Sequence, residues 1–293
     1  MPLLSALSSQ SSFSTAIKVS VCCVTYNHAA YIRQTLDGFL QQRTDFCVEI
    51  LVHDDASTDG TAAIVADYAQ RYPGVIKAIL QSENQYSQGV NVMATLRGTA
   101  QGEYLAYCEG DDYWQDPDKL YQQAHYLDTH LDTVMVGHAT QRIRADGSVI
   151  PEPKPTWYRS AFNLNAGMSA YQLKTLYSMV PTCCKMFRRV PLFPPKNAQN
   201  TPYSDAIKQS LLGQHGKYHF IAGLQPAVYR VHDKGVWSKD TALVQQRKML
   251  GLYRILWGYY LAQKDLIVTL GLTKKMLVCL TKYVIKQVLV GFR

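Results

Sequence analysis

The chain has no CxxC pair, no uninterrupted apolar run of about 18 residues and few charges, and each shortage removes a class of protein. Without paired cysteine spacing a structural zinc site has no ligand set. The seven cysteines (Cys22, Cys23, Cys47, Cys108, Cys183, Cys184 and Cys279) are odd in number and lie mostly in apolar, strand-like runs. They read as reduced, buried thiols of a cytosolic protein. Without a long apolar run, no segment reads as a membrane span. Residues 1–16 are Ser-rich and uncharged, lacking the basic start and longer apolar core of a secretory signal, and read as a flexible leader. Charged residues make up 18% of the 293, but hydrophobic ones make up 47%, which excludes a disordered chain and allows one substantial core. Acid is scarce in one place only. From Gln245 onward nine Lys or Arg face a single acid, Asp265, and this surplus is the whole net charge of +8. A fold that grips nucleic acid would spread such charge over a binding face, so no nucleic-acid partner is expected. A basic terminal segment that is also apolar suits an anionic membrane surface.

What is present is an alternation. Lys18–Thr25, Cys47–His53, Val75–Leu80 and Glu103–Cys108 are short apolar runs of strand character. Tyr31–Leu40, Thr61–Tyr72 and Val90–Thr99 between them have helical spacing. About 100 residues of strand and helix in turn predict a parallel sheet with helices on both faces, which binds its ligand beyond the carboxyl ends of the strands. Further on, a helix follows Asp118 and Thr133–Ala139 is strand-like. Ala145–Ser169 forms a long Pro-, Gly- and Asn-rich loop of the kind that serves as a lid. Val180–Arg188 reads as a strand, Asp205–Gln214 as a helix, Tyr218–Arg230 as a strand pair, and everything from Asp240 as helix.

Polar motifs fall at the strand ends. Thr25-Tyr26-Asn27 closes the first, Asp54-Asp55 the second, and Glu109-Gly110-Asp111-Asp112 the fourth. Three carboxylates within four residues repel one another unless a cation sits among them; a divalent ion that also binds a diphosphate resolves the repulsion. Asp and Gly are also common in solvated turns, so the cluster alone leaves both readings open. Ser57, Thr58 and Asp59 read as caps of the following helix, while Asp54 comes too early to cap. Arg188-Arg189 reads as a solvated strand end. In Tyr229-Arg230-Val231-His232, Arg230 has the chemistry to clamp a diphosphate and His232 to bind a metal.

VSVCCVTYNHAAYI, ILVHDDASTDGT and GEYLAYCEGDDYWQDPDKL, in this order, resemble the inverting family-2 glycosyltransferases of the GT-A fold. The resemblance covers residues 18–125 well and resumes loosely at PTCCKMFRR, at Ser204-Asp205 and at YRVHDKGVWS. It implies a Rossmann-like mixed α/β sheet flanked by helices over 17–240, a nucleotide-sugar donor, most often a UDP-sugar, and a Mn²⁺ or Mg²⁺ ion. By position, Thr25, Tyr26, Asn27 and Asp54 correspond to nucleotide contacts, and Glu109-Gly110-Asp111 to the Asp-x-Asp motif with Glu in first place. Asp111, with His232, would hold the metal; Glu109 and Asp112 would border the donor; Asp205 corresponds to the general base. The Arg-Asn pair many members carry before the fourth strand has no match here. The implied reaction is one displacement with inversion, onto a glycan or lipid-linked acceptor.

The segment 241–293 reads as a helical tail. Lys275, Lys282, Lys286 and Arg293 share one stripe, with Met276, Leu277, Leu280, Tyr283 and Val284 opposite, the pattern of a helix lying on the inner face of the cytoplasmic membrane. The packing alternative has the lysines facing solvent. Two other function classes compete with sugar transfer. A nucleotidyltransferase would show a Gly-rich basic loop after the first strand, which VTYNHAAYI is not. An inactive membrane-bound scaffold would have no use for Asp111, Asp112 and Asp205.

Overall fold

The computed structural model describes residues 16–151, 167–176, 180–198, 204–232 and 242–291. The leader up to residue 15, most of the 145–169 loop and the Gly235–Ser238 segment with Trp237 lie outside the described residues. The apolar runs are strands β1 (Ile17–Thr25), β2 (Cys47–Asp54), β3 (Ile76–Leu80) and β4 (Tyr104–Tyr107). They are joined by α1 (Ile32–Leu40), α2 (Thr61–Arg71) and α3 (Val92–Thr99). β2 is buried at seven of its eight positions, because helices cover both faces of a parallel sheet and leave no side to alternate towards water. Then come α4 (Lys119–Thr129), β5 (Thr133–Gly137), β6 (Thr140–Arg144) and α5 (Ala170–Thr175). β7 (Met186–Arg188), α6 (Ser204–Leu212), β8 (Lys217–Phe220) and β9 (Ala227–Val231) complete the domain, and α7 (Ala242–Ala262) and α8 (Leu266–Gly291) follow it.

The main sheet has seven strands in the order β3-β2-β1-β4-β7-β5-β8. β1 runs parallel to both β2 and β4, while β7 is antiparallel to β4 and β5, so the sheet is mixed. β1 is where the strand order reverses direction, the switch point beyond whose carboxyl end sheets of this kind bind their ligands. β6 and β9 form a separate parallel pair, joined to the segment after β4 by a bridge between Tyr113 and Val228.

Two expectations are corrected. The run 180–188 is not one strand: Thr182–Cys184 turns as a 3₁₀ helix and only β7 pairs. The strands within 218–230 exist but do not pair with each other, since β8 joins β5 and β9 leaves for β6. The Arg188-Arg189 strand end is exposed at Arg189 and partly buried at Arg188. Arg188 Nε donates to Thr133 O of β5 at 2.9 Å and Arg189 Nε to Gly102 O at 2.6 Å, so the guanidiniums also tie this end to neighbouring backbone.

A second core lies beside the sheet. Ala206, Ile207 and Leu211 of α6 pack with Leu252, Leu256 and Tyr260 of α7 and with Val268 and Leu272 of α8. The Tyr260 hydroxyl donates to Ser210 O at 2.8 Å, and Lys174 pairs with Asp265 at 2.9 Å. The helical stretch after 240 breaks at Lys264, which has a φ of 61°, and Asp265 Oδ1 then accepts from Val268 N to start α8. The start of the basic segment is thus packed on the helix that carries Asp205. All seven cysteines are free and six are buried.

Candidate active site

The turns after β1 and β2 are laced together by side chains. Asn27 takes a φ of 55°, a left-handed conformation that Asn tolerates better than most residues. Its amide donates to Ser57 Oγ at 2.8 Å, and its Oδ1 accepts from Thr58 N at 2.8 Å. His28 N donates to Thr61 Oγ1 and Ala29 N to Asp59 Oδ2, at 2.9 and 3.0 Å. Ser57, Thr58 and Asp59 therefore fasten one turn to the other; the N-cap position of α2 is Gly60, and Asp59 Oδ1 accepts from the first helix amide, Thr61 N, at 3.1 Å, the capping role expected of it. Asp54 is fully buried, and its two oxygens accept from Ser57 N at 3.0 Å and Ser57 Oγ at 2.5 Å. Asp55 accepts from the amides of Gln85 and Tyr86 at 2.8 and 3.0 Å. The second acidic pair thus anchors the crevice wall, with Tyr26 exposed at its mouth.

The acidic turn after β4 presses directly on this wall. Gly110 N donates to Val24 O, and a Cβ at position 110 would stand 2.6 Å from Thr25 Cβ and 3.1 Å from His28 Nδ1. Only glycine lets the two turns meet. Gly110→Ala should destabilise the fold by about 1–3 kcal/mol, the usual cost of overpacking. Differential scanning should read this as about 2–4 °C per kcal/mol for a chain near this size. An unchanged melting temperature would show that the turns do not need their close approach.

Glu109, Asp111 and Asp112 have carboxylate oxygens within 4.8 Å of one another. Burial, then Asp111 and Asp205, push the Glu109 carboxyl up to about 8. Burial, then Asp111 and Glu109, drive Asp112 well above its ordinary value. Arg230 holds the turn rather than reaching outward. Its amide donates to Asp112 Oδ1 at 2.9 Å, and its guanidinium to Asp111 O at 3.2 Å and Gln34 Oε1 at 2.9 Å. Two buried oxygens, Asp111 Oδ1 and Asp112 Oδ2, have no hydrogen-bond partner among the described residues. His232 Nε2 stands 2.9 Å from Asp111 Oδ2. A divalent cation fits this set: unpaired buried carboxylate oxygens with an imidazole beside them are costly alone and satisfied by a positive ion. Trp114 belongs elsewhere. It is buried against Phe39, its Nε1 donates to Cys183 O, and it is part of the core.

Asp205 stands in the first turn of α6, at the rim of a cavity of about 350 Å³ that is also lined by Arg97, Tyr107, Leu192 and Lys208. Lys208 Nζ contacts its Oδ1 at 2.7 Å and Thr182 Oγ1 lies 3.5 Å from its Oδ2. Burial raises the pKa of this carboxyl, but Lys208 and Lys185 outweigh it and hold the group well below the usual carboxylate range. Asp205 is close enough to Glu109 to raise that residue's pKa in turn. Thr25, Asn27, Glu109, Asp111, Asp112 and His232 thus lie on adjoining turns, with Asp205 close to Glu109. His28 and Lys208 are further members that the sequence reading missed. Lys208 was legible as an i, i+3 partner of Asp205 on a helix.

With this geometry in hand, comparison with known proteins is decisive. The description "Glycosyl transferase family 2" matches residues 20–193. The chain belongs to this family. An uncharacterised protein of Mycobacterium tuberculosis is 36% identical over 237 residues, covering 78% of this chain and 63% of that protein. The chain therefore spans less than two thirds of that relative's length. TarS of Staphylococcus aureus, a poly(ribitol-phosphate) β-N-acetylglucosaminyltransferase, is 31% identical over 123 residues, or 41% of this chain and 20% of TarS. The crystal structure of TarS residues 1–349 in complex with UDP matches with a TM-score of 0.59 at 20% identity, over 87% of this chain and 71% of that one. The mannosyltransferase PcManGT of Pyrobaculum calidifontis, in complex with GDP-Man and Mn²⁺, matches at 0.55 and 18% identity, over 85% and 65%. The mixed α/β sheet flanked by helices is the GT-A fold, as the motifs implied.

Proposed function

We propose that the chain is an inverting glycosyltransferase. It moves a hexosyl or N-acetylhexosaminyl group from a nucleotide-sugar, a UDP-sugar first, to a hydroxyl of a glycan or lipid-linked acceptor in cell-surface polysaccharide synthesis. One observation carries the reading: the ends of β1, β2 and β4 lie side by side, and the acidic turn after β4 holds two buried carboxylate oxygens that have no partner among the described residues. The ligands bound to the structural neighbours, UDP and GDP-Man, are of the donor class proposed.

In this reading Thr25, Tyr26, Asn27 and Asp54 shape the nucleotide end, Asp54 by fixing Ser57. Asp111 and His232 hold Mn²⁺ or Mg²⁺, with Glu109 and Asp112 bordering the donor. When bound, the ion supplies Lewis-acid stabilisation of the departing nucleoside diphosphate. Asp205 accepts the proton of the acceptor hydroxyl as that oxygen attacks the anomeric carbon, and the cavity between α3 and α6 seats the sugar. One carboxylate suffices, because the leaving group is already good. A thermal-shift screen of nucleotide sugars with Mn²⁺ tests the donor class. A ligand at 100 times its Kd adds about 2.7 kcal/mol to the folded state, a shift of several degrees. A shift with UDP-sugars and none with nucleoside triphosphates supports the reading; the opposite ranking contradicts it.

The same reading places the protein on the cytoplasmic face of the membrane through α8. No helix among the described residues is long and apolar enough to cross a membrane. Yet Leu266, Ile267, Leu270, Leu277 and Val284 on α8 are each more than half exposed. Packing with lysines outward would reverse this, whereas Lys275 and Lys282 are half-buried. The double variant Leu270→Glu, Leu277→Glu should lose flotation with anionic vesicles and keep its melting temperature, since neither side chain is in the second core. Undiminished flotation would sink the membrane assignment. Truncation at 266 is a poorer test, because it also removes Val268 and Leu272 from that core.

A further inference from the structure

His28 lies three residues past β1, where the family resemblance assigned nothing and the sequence suggested only a turn. Its backbone amide is tied to Thr61 Oγ1, and its Nδ1 lies 3.2 Å from Thr25 Oγ1. Those two contacts fix the ring so that Nε2 faces Asp111 Oδ2 at 3.8 Å. From the opposite side, one residue past β9, His232 presents its Nε2 to the same oxygen at 2.9 Å. The rings are 6.1 Å apart and nearly perpendicular, at 84°. One ligand atom from each of His28, Asp111 and His232 falls within 4.8 Å of the other two. The other oxygen of the Asp111 carboxylate, Oδ1, is buried and has no hydrogen-bond partner among the described residues.

Two imidazoles and a carboxylate are not the set that Mg²⁺ or Ca²⁺ favours, since hard cations take oxygen ligands. Imidazole nitrogen suits divalent first-row transition ions, whose affinity for such a site rises from Mn²⁺ towards Cu²⁺. A hydroxyl on the distal nitrogen, as Thr25 provides, is the outer contact that orients a metal-bound histidine. We propose that His28 is a third protein ligand alongside Asp111 and His232. The site then selects a first-row transition ion over Mg²⁺, with Co²⁺ and Zn²⁺ held more tightly than Mn²⁺. The inference rests on the metal-dependent reading above, but its test does not use transfer.

The full chain, stripped of metal by chelation, is titrated with Mn²⁺ alone and with Mg²⁺ alone. Free Mn²⁺ is followed by its electron paramagnetic resonance signal, and nitrogen couplings to the bound ion by pulsed spectroscopy. The wild-type protein should show two imidazole nitrogens on Mn²⁺ and bind it more tightly than Mg²⁺. His28→Ala should show one nitrogen and lose about 10–100-fold or more in Mn²⁺ affinity, with a much smaller change for Mg²⁺. The wild-type nitrogen count requires no variant to fold. A single nitrogen coupling in the wild type, one that persists in His28→Ala, overturns the proposal. So does Mg²⁺ binding as tight as Mn²⁺ binding, or no binding of Mn²⁺ alone at millimolar concentration. Donor turnover with an ion held by carboxylates only would leave the transferase reading standing while His28 failed, so the two failures are distinguishable.

Discussion

Asp111→Ala should abolish sugar transfer and metal-dependent donor binding together. Among the described residues, Asp111 alone belongs to both candidate metal clusters, one with His28 and His232 and one with Glu109 and Asp112. Its Oδ2 meets His232 and its buried Oδ1 has no partner among the described residues, so removing it takes away the point where the two sets meet. The fold has less need of it. The turn is held by Gly110 against Val24, by Asp112 accepting from Arg230 N, and by Arg230 donating to the backbone oxygen of residue 111, which survives the substitution. Asp111 raises the pKa of both Glu109 and Asp112, so removing its carboxylate should even relieve repulsion. The expected result is therefore a melting temperature equal to or above the wild type's, with no additional shift from Mn²⁺ and a UDP-sugar. Activity within tenfold of the wild type would remove Asp111 from the metal site.

Asp205→Asn should behave differently: donor binding kept, transfer slowed by about 10²–10⁴-fold, the usual scale for a lost general base. The neighbour Lys208 adds a pH signature. With the ion pair intact, Asp205 is held below the usual carboxylate range, so it stays ionised over the whole working range and contributes no acid limb near neutrality. Lys208→Met removes the larger of the two cationic neighbours. Burial, which raises the pKa, then counts for more, and the carboxyl moves up. The acid limb of the kcat profile should therefore shift to higher pH in Lys208→Met and vanish in the double variant with Asp205→Asn. A limb that stays where it was, together with lost donor affinity in Asp205→Asn, would make Asp205 a binding residue.

The first half of the fold was legible because its physics is local. β1, β2 and β4 are short apolar runs with turn residues at their ends, and a strand buried on both faces reads as such. Pairing partners are not local. Periodicity finds β8 and β9 but cannot show that a strand six residues on leaves for another sheet. The same limit hid Arg188 and Arg189, whose acceptors are carbonyls brought close only by folding. At the site, Asp111 and His232 were found from motif and position, and the structure brings them within 2.9 Å across 121 residues of sequence. His28 escaped because a histidine in a turn resembles any other polar turn residue until the acidic turn packs against it. Trp114, just after the acidic motif, is core rather than part of the crevice, because its indole N–H is taken by Cys183 O.

The central claim is that the crevice beyond β1, β2 and β4 transfers sugar from a nucleotide donor. Its most direct measurement is release of nucleoside diphosphate from a panel of UDP- and GDP-sugars by the purified full chain with Mn²⁺, beside Asp111→Ala. Release from at least one UDP-sugar, with inversion at the anomeric carbon and none from Asp111→Ala, is the predicted result. No release from any donor by a folded, metal-loaded chain, or equal release by the variant, would contradict it.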